Sequence, residues 1–249
     1  MAYTIRQLIF LIWLCPVLFA AELPKNSVAW KIYQNECATD PAYLIHWNRG
    51  ENFPSLGIGH FIWYPKNVHE KFTESFPKLI TFLENKGIVV PAWLYEAAPW
   101  KDAHAMRRDS RYRSLQTFLI QTMPLQAEFM IQQLDTSLDN IVIHLSRPER
   151  EKLLHNYQSL RDTRQGKYIL TDYRNFKGDG INPSERYHNK GWGLQQILLC
   201  MSPKEDPVLS FVQCARKVLL QRVQNAPPKR HEERWLKGWY NRIDTYLPK

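Results

Sequence analysis

The sequence predicts a mainly α-helical protein with one small β-hairpin near its N-terminal end, the two flanking a groove. Apolar residues recur at helical spacing along most of the chain, as at Val68, Phe72, Phe76, Leu79, Ile80 and Leu83 before Gly87. Helix starts are also legible: Ser146-Arg147-Pro148-Glu149 combines a cap, a proline tolerated in the first turn and a glutamate at the third position. β-prone residues concentrate only in 42–64, in Tyr43-Leu44-Ile45-His46-Trp47 and again in Phe61-Ile62-Trp63-Tyr64, with the polar turn NRGENFP between the two stretches.

Taken in order, a short helix is expected over 26–37, with Val28, Ala29, Ile32, Tyr33 and Glu36 on one face. Strand material fills 42–64, and helices follow over 68–86, 91–97, 103–122, 124–138 and 146–160. A loop at 172–193 holds Gly178, Gly180, Gly191 and Gly193, and helices over 193–200, 203–224 and 230–246 close the chain. There is no internal repeat and no low-complexity linker.

The first 21 residues read as a secretory signal peptide. The apolar block Leu8–Ala21 follows a start with one arginine and no acid, and is shorter than the roughly 20 residues a membrane span needs. Cleavage is expected after Ala20 or Ala21, with an uncleaved anchor as the alternative. Residues 22–249 are then one domain, periplasmic or secreted, with no later apolar run of spanning length. The chain carries a net charge of +9, of which the removed segment holds only Arg6. An exported basic protein is expected to meet an anionic wall polymer or lipid head groups rather than nucleic acid. A monomer is expected.

Three cysteines follow the leader: Cys37, Cys200 and Cys214. A helix begun at Ser202 would carry Cys214 roughly 15 Å away from its start, beyond the about 4.4–6.8 Å between Cα atoms that a disulfide tolerates. Pairing of Cys37 with Cys200 or with Cys214, or no pairing, is therefore expected in preference to Cys200 with Cys214. No metal or cofactor is expected, because His46, His60, His69 and His104 show no ligand spacing and no phosphate loop or nucleophile elbow occurs.

Glu36 is the unusual residue of the first helix. It follows Ile32 and Tyr33 on an apolar face, where desolvation is expected to raise its pKa and fit it for general-acid work. Glu51 lies in a polar turn and is expected to be ionised, with Ser55 four residues on to hold a water. Two carboxyl groups in contrasting settings are what glycoside hydrolysis uses. Asp40 is the alternative second acid. The 172–193 loop, with Asn175, Tyr187 and Trp192, and Gln195 just after it, is expected to form the far wall of a sugar-binding groove.

Glu36, the acidic loop and Ser55-Leu56-Gly57-Ile58-Gly59-His60 together resemble the N-terminal lobe of phage-type lysozymes and endolysins, over residues 27–64. The resemblance implies a lysozyme-like fold and cleavage of β-1,4 links in peptidoglycan or a related amino-sugar polymer. It implies Glu36 as general acid, Glu51 as second carboxylate, Ser55 as the water-positioning hydroxyl and His60 as the histidine ending the strand. Gly191–Leu198 is faintly similar to a segment of lytic transglycosylases, so a mechanism using Glu36 alone stays open. A wall-binding protein without turnover is the remaining alternative. As a strand, 55–64 would put Gly57 and Gly59 on one bare face, open to a sugar ring or a packed helix.

Overall fold

The computed structural model describes residues 23–25, 27–70, 72–183 and 185–248; the expected signal peptide lies outside the described residues. Helix α1 (Val28–Cys37) starts where the Ser27 side chain accepts the Trp30 N–H at 3.1 Å. It ends where Ala38 and Thr39 turn left-handed, with φ of 48° and 62°. Asp40 then caps a 3-10 turn, Pro41–Leu44, by accepting the Ala42 N–H at 2.8 Å.

The β region is a three-stranded antiparallel sheet of two-residue strands: β1 (Ile45–His46), β2 (Ser55–Leu56) and β3 (Phe61–Ile62). His46 lies opposite Ser55, and Ser55 opposite Ile62. Residues 57–60 are a turn, which corrects the reading of a continuous strand with an empty face. Gly57 has φ +69°, and a Cβ there would stand 2.3 Å from Gln126 Oε1. That amide oxygen accepts the Ile58 N–H at 2.9 Å, so the space is filled by the protein's own glutamine.

The second helix, α2 (Phe76–Asn85), starts later than expected. Residues 72–75 instead serve the edge of β3 and the chain beyond it: Ser75 exchanges hydrogen bonds with Ile62, and Glu74 accepts the Tyr64 N–H at 2.7 Å. A 3-10 turn, Ala92–Tyr95, stands where 91–97 was expected to be helical. The 103–122 segment is two helices, α3 (Ala103–Arg108) and α4 (Tyr112–Gln121). The break is fixed by Asp109, which accepts from Trp100 Nε1 and from the Arg111 backbone and guanidinium.

Helix α5 (Met123–Val142) and helix α6 (Arg147–Arg161), the latter with the expected Ser146/Glu149 capping box, precede a helix that the sequence reading overlooked. This is α7 (Gly166–Lys177), which takes in the first part of the segment read as a loop. It buries Tyr168, Ile169, Leu170, Asp172 and Tyr173, and touches α1, α5, α6 and α8 (Leu194–Cys200). A small hairpin, β4 (Arg186–Tyr187) with β5 (Lys190–Gly191), lies further along that segment. Helices α9 (Pro207–Asn225) and α10 (Glu233–Asp244) pack on each other at the end. One connected cluster of buried apolar side chains runs from Ala29 to Tyr246.

Cys200 and Cys214 form a disulfide with Cα atoms 5.8 Å apart, and Cys37 is a buried free thiol. The expected pairing was wrong because α9 begins at Pro207, not near Ser202. Residues 201–206 reverse the chain, so the end of α8 lies beside the second turn of α9 rather than in line with it. Among the described residues, no helix is long and apolar enough to cross a membrane.

Candidate functional site

Glu36 leaves α1 on the side that meets α7, α10 and the turn before β3. Asn175 Nδ2 of α7 donates to its Oε1 at 2.9 Å, and a guanidinium nitrogen of Arg242 (α10) donates to the same oxygen at 2.6 Å. His60 Nδ1 stands 3.6 Å from Oε2. The Glu36 side chain is 11% exposed. Arg242 also grips buried Asp172, through Nε at 2.9 Å and a second nitrogen at 2.8 Å, and the Tyr246 hydroxyl donates to the same carboxylate. Asn35 donates to Asp172 at 3.3 Å from the α1 side.

This arrangement overturns the expected protonation of Glu36. Burial does push its pKa up, but the Arg242 charge, His60 and the hydrogen bonds from Arg242 and Asn175 bring it below the ordinary value. Sequence reasoning saw the desolvation and missed the counter-ion 206 positions away. His60 moves down as well: burial lowers it, Glu36 raises it, and His46 and Arg242 lower it again. At neutral pH His60 therefore faces Glu36 as a neutral ring. It adopts a left-handed backbone with φ +47°, rare for a residue with a side chain.

The second carboxyl candidate connects to the first through the sheet. The His46 ring stacks on that of His60 with centroids 6.2 Å apart. His46 Nε2 lies 2.9 Å from Asn48 Oδ1, and Asn48 Nδ2 donates to Glu51 Oε2 at 2.9 Å. Ser55 sits on β2 opposite His46 and is buried. Asp40 is committed to its cap and exposed.

Of the expected groove wall, only Asn175 reaches Glu36 directly. The Tyr187 hydroxyl donates to Glu232 Oε1 at 2.8 Å, and its ring centroid is 4.8 Å from that of Trp192. Arg222 lies 4.1 Å over Trp192 and pairs with Glu232 at 2.7 Å, so both aromatic residues are held by protein partners. Gln195 lines a cavity of about 550 Å³ with Glu149, Arg186 and Lys190, away from Glu36. Their adjacency in sequence suggested one wall; the β4–β5 hairpin disperses them.

Lys177 joins the two regions. Its amine lies 3.6 Å from the Trp239 ring centroid and 4.0 Å from that of Phe176, whose ring also carries Arg242 at 4.3 Å. Burial, with Arg222 and Arg242 nearby, pushes its pKa down to about 6. Arg242, Lys177 and Tyr246 were the neighbours of this cluster that sequence reasoning missed. Trp239 and Arg242 are three residues apart on one face of α10, and Tyr246 follows four residues on, just past the helix end; that spacing was the available signal. Among the described residues, no group of three or more histidine, cysteine, aspartate or glutamate side chains could hold a metal ion. No protein-family model, curated protein or solved structure matches this chain.

Proposed function

We propose that this protein is an exported, lysozyme-like glycosidase that cleaves β-1,4 links of peptidoglycan or a related amino-sugar polymer, with Glu36 as the reacting carboxyl group. The observation that supports this reading is the gathering of Glu36, His60 and Asn175 where the helical body meets the small sheet, with Glu51 linked through Asn48, His46 and His60. In the free protein Glu36 is ionised, so it can protonate a leaving oxygen only once its contact with Arg242 is broken. A sugar hydroxyl that takes over the Arg242 or Asn175 hydrogen bond raises the Glu36 pKa, so the carboxylate takes up a proton from solvent and passes it to the leaving oxygen; Glu51 with Ser55 accepts the proton of the attacking water.

A second reading is a wall-binding protein without turnover. It draws on the two-carboxylate grip of Arg242, which ties up Glu36 as a structural ion pair does. Digestion of purified peptidoglycan separates the two. The glycosidase reading expects soluble fragments from the wild type and a loss of roughly 100-fold or more in Glu36→Gln, the scale of a missing general acid. Equal release by both proteins, or none by either while the protein sediments with the wall, removes it. Fragments ending in anhydro sugars assign a lytic transglycosylase.

A further inference from the structure

A cavity of about 630 Å³ lies between α1, the α6–α7 connection and the end of the chain; Glu36 is not in its lining. Lys31 and Gln34 of α1 face it, together with Arg164 and Gln165 of the connection. Lys31 Nζ donates to Gln165 Oε1 at 3.0 Å and lies 4.9 Å over the Tyr168 ring. Burial lowers the Lys31 pKa, and the Arg164 charge lowers it further. Two cations thus face one recess, Lys31 partly buried and Arg164 exposed, and among the described residues neither has a carboxylate in contact.

Asp206 also lines the cavity, but its carboxylate caps α9 by accepting the Leu209 N–H at 2.8 Å. The charge that lowers the Lys31 pKa is that of Arg164. Like charges facing one recess create a potential that an oxyanion relieves. The volume falls within the roughly 300–1,000 Å³ range of small-molecule sites, more than a bare ion fills. The Gln34 amide supplies a neutral hydrogen-bonding group on the same lining, whereas the Thr245 hydroxyl is taken up by the Arg242 carbonyl and the Tyr168 hydroxyl.

From the paired cations, the polar lining and the size, we infer that this cavity is a second binding site, separate from Glu36, for a small hydroxylated oxyanion such as a sugar acid or a sugar phosphate. Arg164 and Lys31 hold the anionic group, and Gln34 reads a hydroxyl. The inference does not depend on the glycosidase reading.

Titration calorimetry on the full chain at low salt, with glucuronate, glucose 6-phosphate and glucose as probes, tests it. The expected result is saturable binding of one or both anions and none of glucose. Glucuronate alone marks a carboxylate site and glucose 6-phosphate alone a phosphate site; either supports the inference. Arg164→Gln and Lys31→Gln should each weaken binding about tenfold or more, the loss of one charge-assisted hydrogen bond. Arg164 is exposed, so its variant keeps the fold and decides the matter even where Lys31→Gln does not fold. Absence of binding by both anions, equal binding of glucose, or affinity unchanged in Arg164→Gln overturns the inference.

Discussion

Arg242 stands 2.6 Å from Glu36, although 206 residues separate them in the chain. The same guanidinium holds Asp172, so one cation from the last helix neutralises two carboxylates contributed by α1 and α7. Removing it leaves two buried anions without a counter-ion. Arg242→Met should cost about 3–5 kcal/mol of folding stability, the usual penalty for breaking a buried pair. In a double-mutant cycle with Glu36→Gln, measured by urea unfolding, the two effects should fall short of additivity by about 1 kcal/mol or more. Additive effects would show that the contact contributes nothing to the fold.

The pH dependence of stability should carry the signature of Glu36. Its folded pKa lies below the unfolded one, so the stabilisation is complete above the ordinary 4.5 and is lost as pH falls through the folded value. Chemical unfolding between pH 7 and pH 3 should show wild type losing stability faster than Glu36→Gln below pH 4.5, by up to about 1.4 kcal/mol per pH unit. The difference between the two proteins should narrow as pH falls toward 3. Parallel curves throughout would contradict the assigned ion pair.

Lys177 makes the opposite kind of contribution. Its folded pKa of about 6 is far below the ordinary 10.5, so between these values the unfolded chain binds the extra proton. Stability should therefore rise with pH across that interval, and the penalty is complete below pH 6. Lys177→Met, which keeps the stem between Phe176 and Trp239, should be more stable than wild type at pH 7. The gap should close toward pH 10. A variant less stable than wild type at pH 7 would mean the amine has a stabilising partner.

Two glycines allow the Gln126 contact to be weighed. Gly50 and Gly57 both have positive φ, +89° and +69°, but an added Cβ meets nothing within 4 Å at Gly50 and Gln126 Oε1 at 2.3 Å at Gly57. Gly50→Ala should cost about 1 kcal/mol, the backbone cost alone. Gly57→Ala should cost about 2 kcal/mol more, because Gln126 must abandon the Ile58 N–H. Thermal unfolding of the two variants side by side measures the difference; equal shifts would mean that Gln126 moves aside freely.

The helical class and the position of the β region were legible because amphipathic spacing and β-prone runs are local signals. The Ser146/Glu149 cap was legible for the same reason. Helix α7 was not, since its buried Asp172 and the glycines that follow mimic loop composition. Its Tyr168, Asp172 and Phe176 spacing is helical, but the polar middle position conceals it. At the site, sequence order placed Glu36 beside apolar neighbours and had no means of bringing Arg242 to it. The sign of the Glu36 shift depends on that tertiary contact, so local reasoning gave the opposite direction. The same limit explains the cysteines, whose pairing depends on a chain reversal at 201–206.

That pairing has a consequence for the order of events during maturation. Cys37, Cys200 and Cys214 admit three intramolecular bridges, and the native one leaves Cys37 enclosed, with its thiol pushed up to about 12. Thiolate is the species that attacks, so a docked α1 takes Cys37 out of exchange while the other two cysteines remain competent. An oxidant that acts before α1 docks finds Cys37 competing with Cys200 and Cys214. The first helix, through its place in the core, thus guards the fidelity of a crosslink formed more than 160 residues downstream of it.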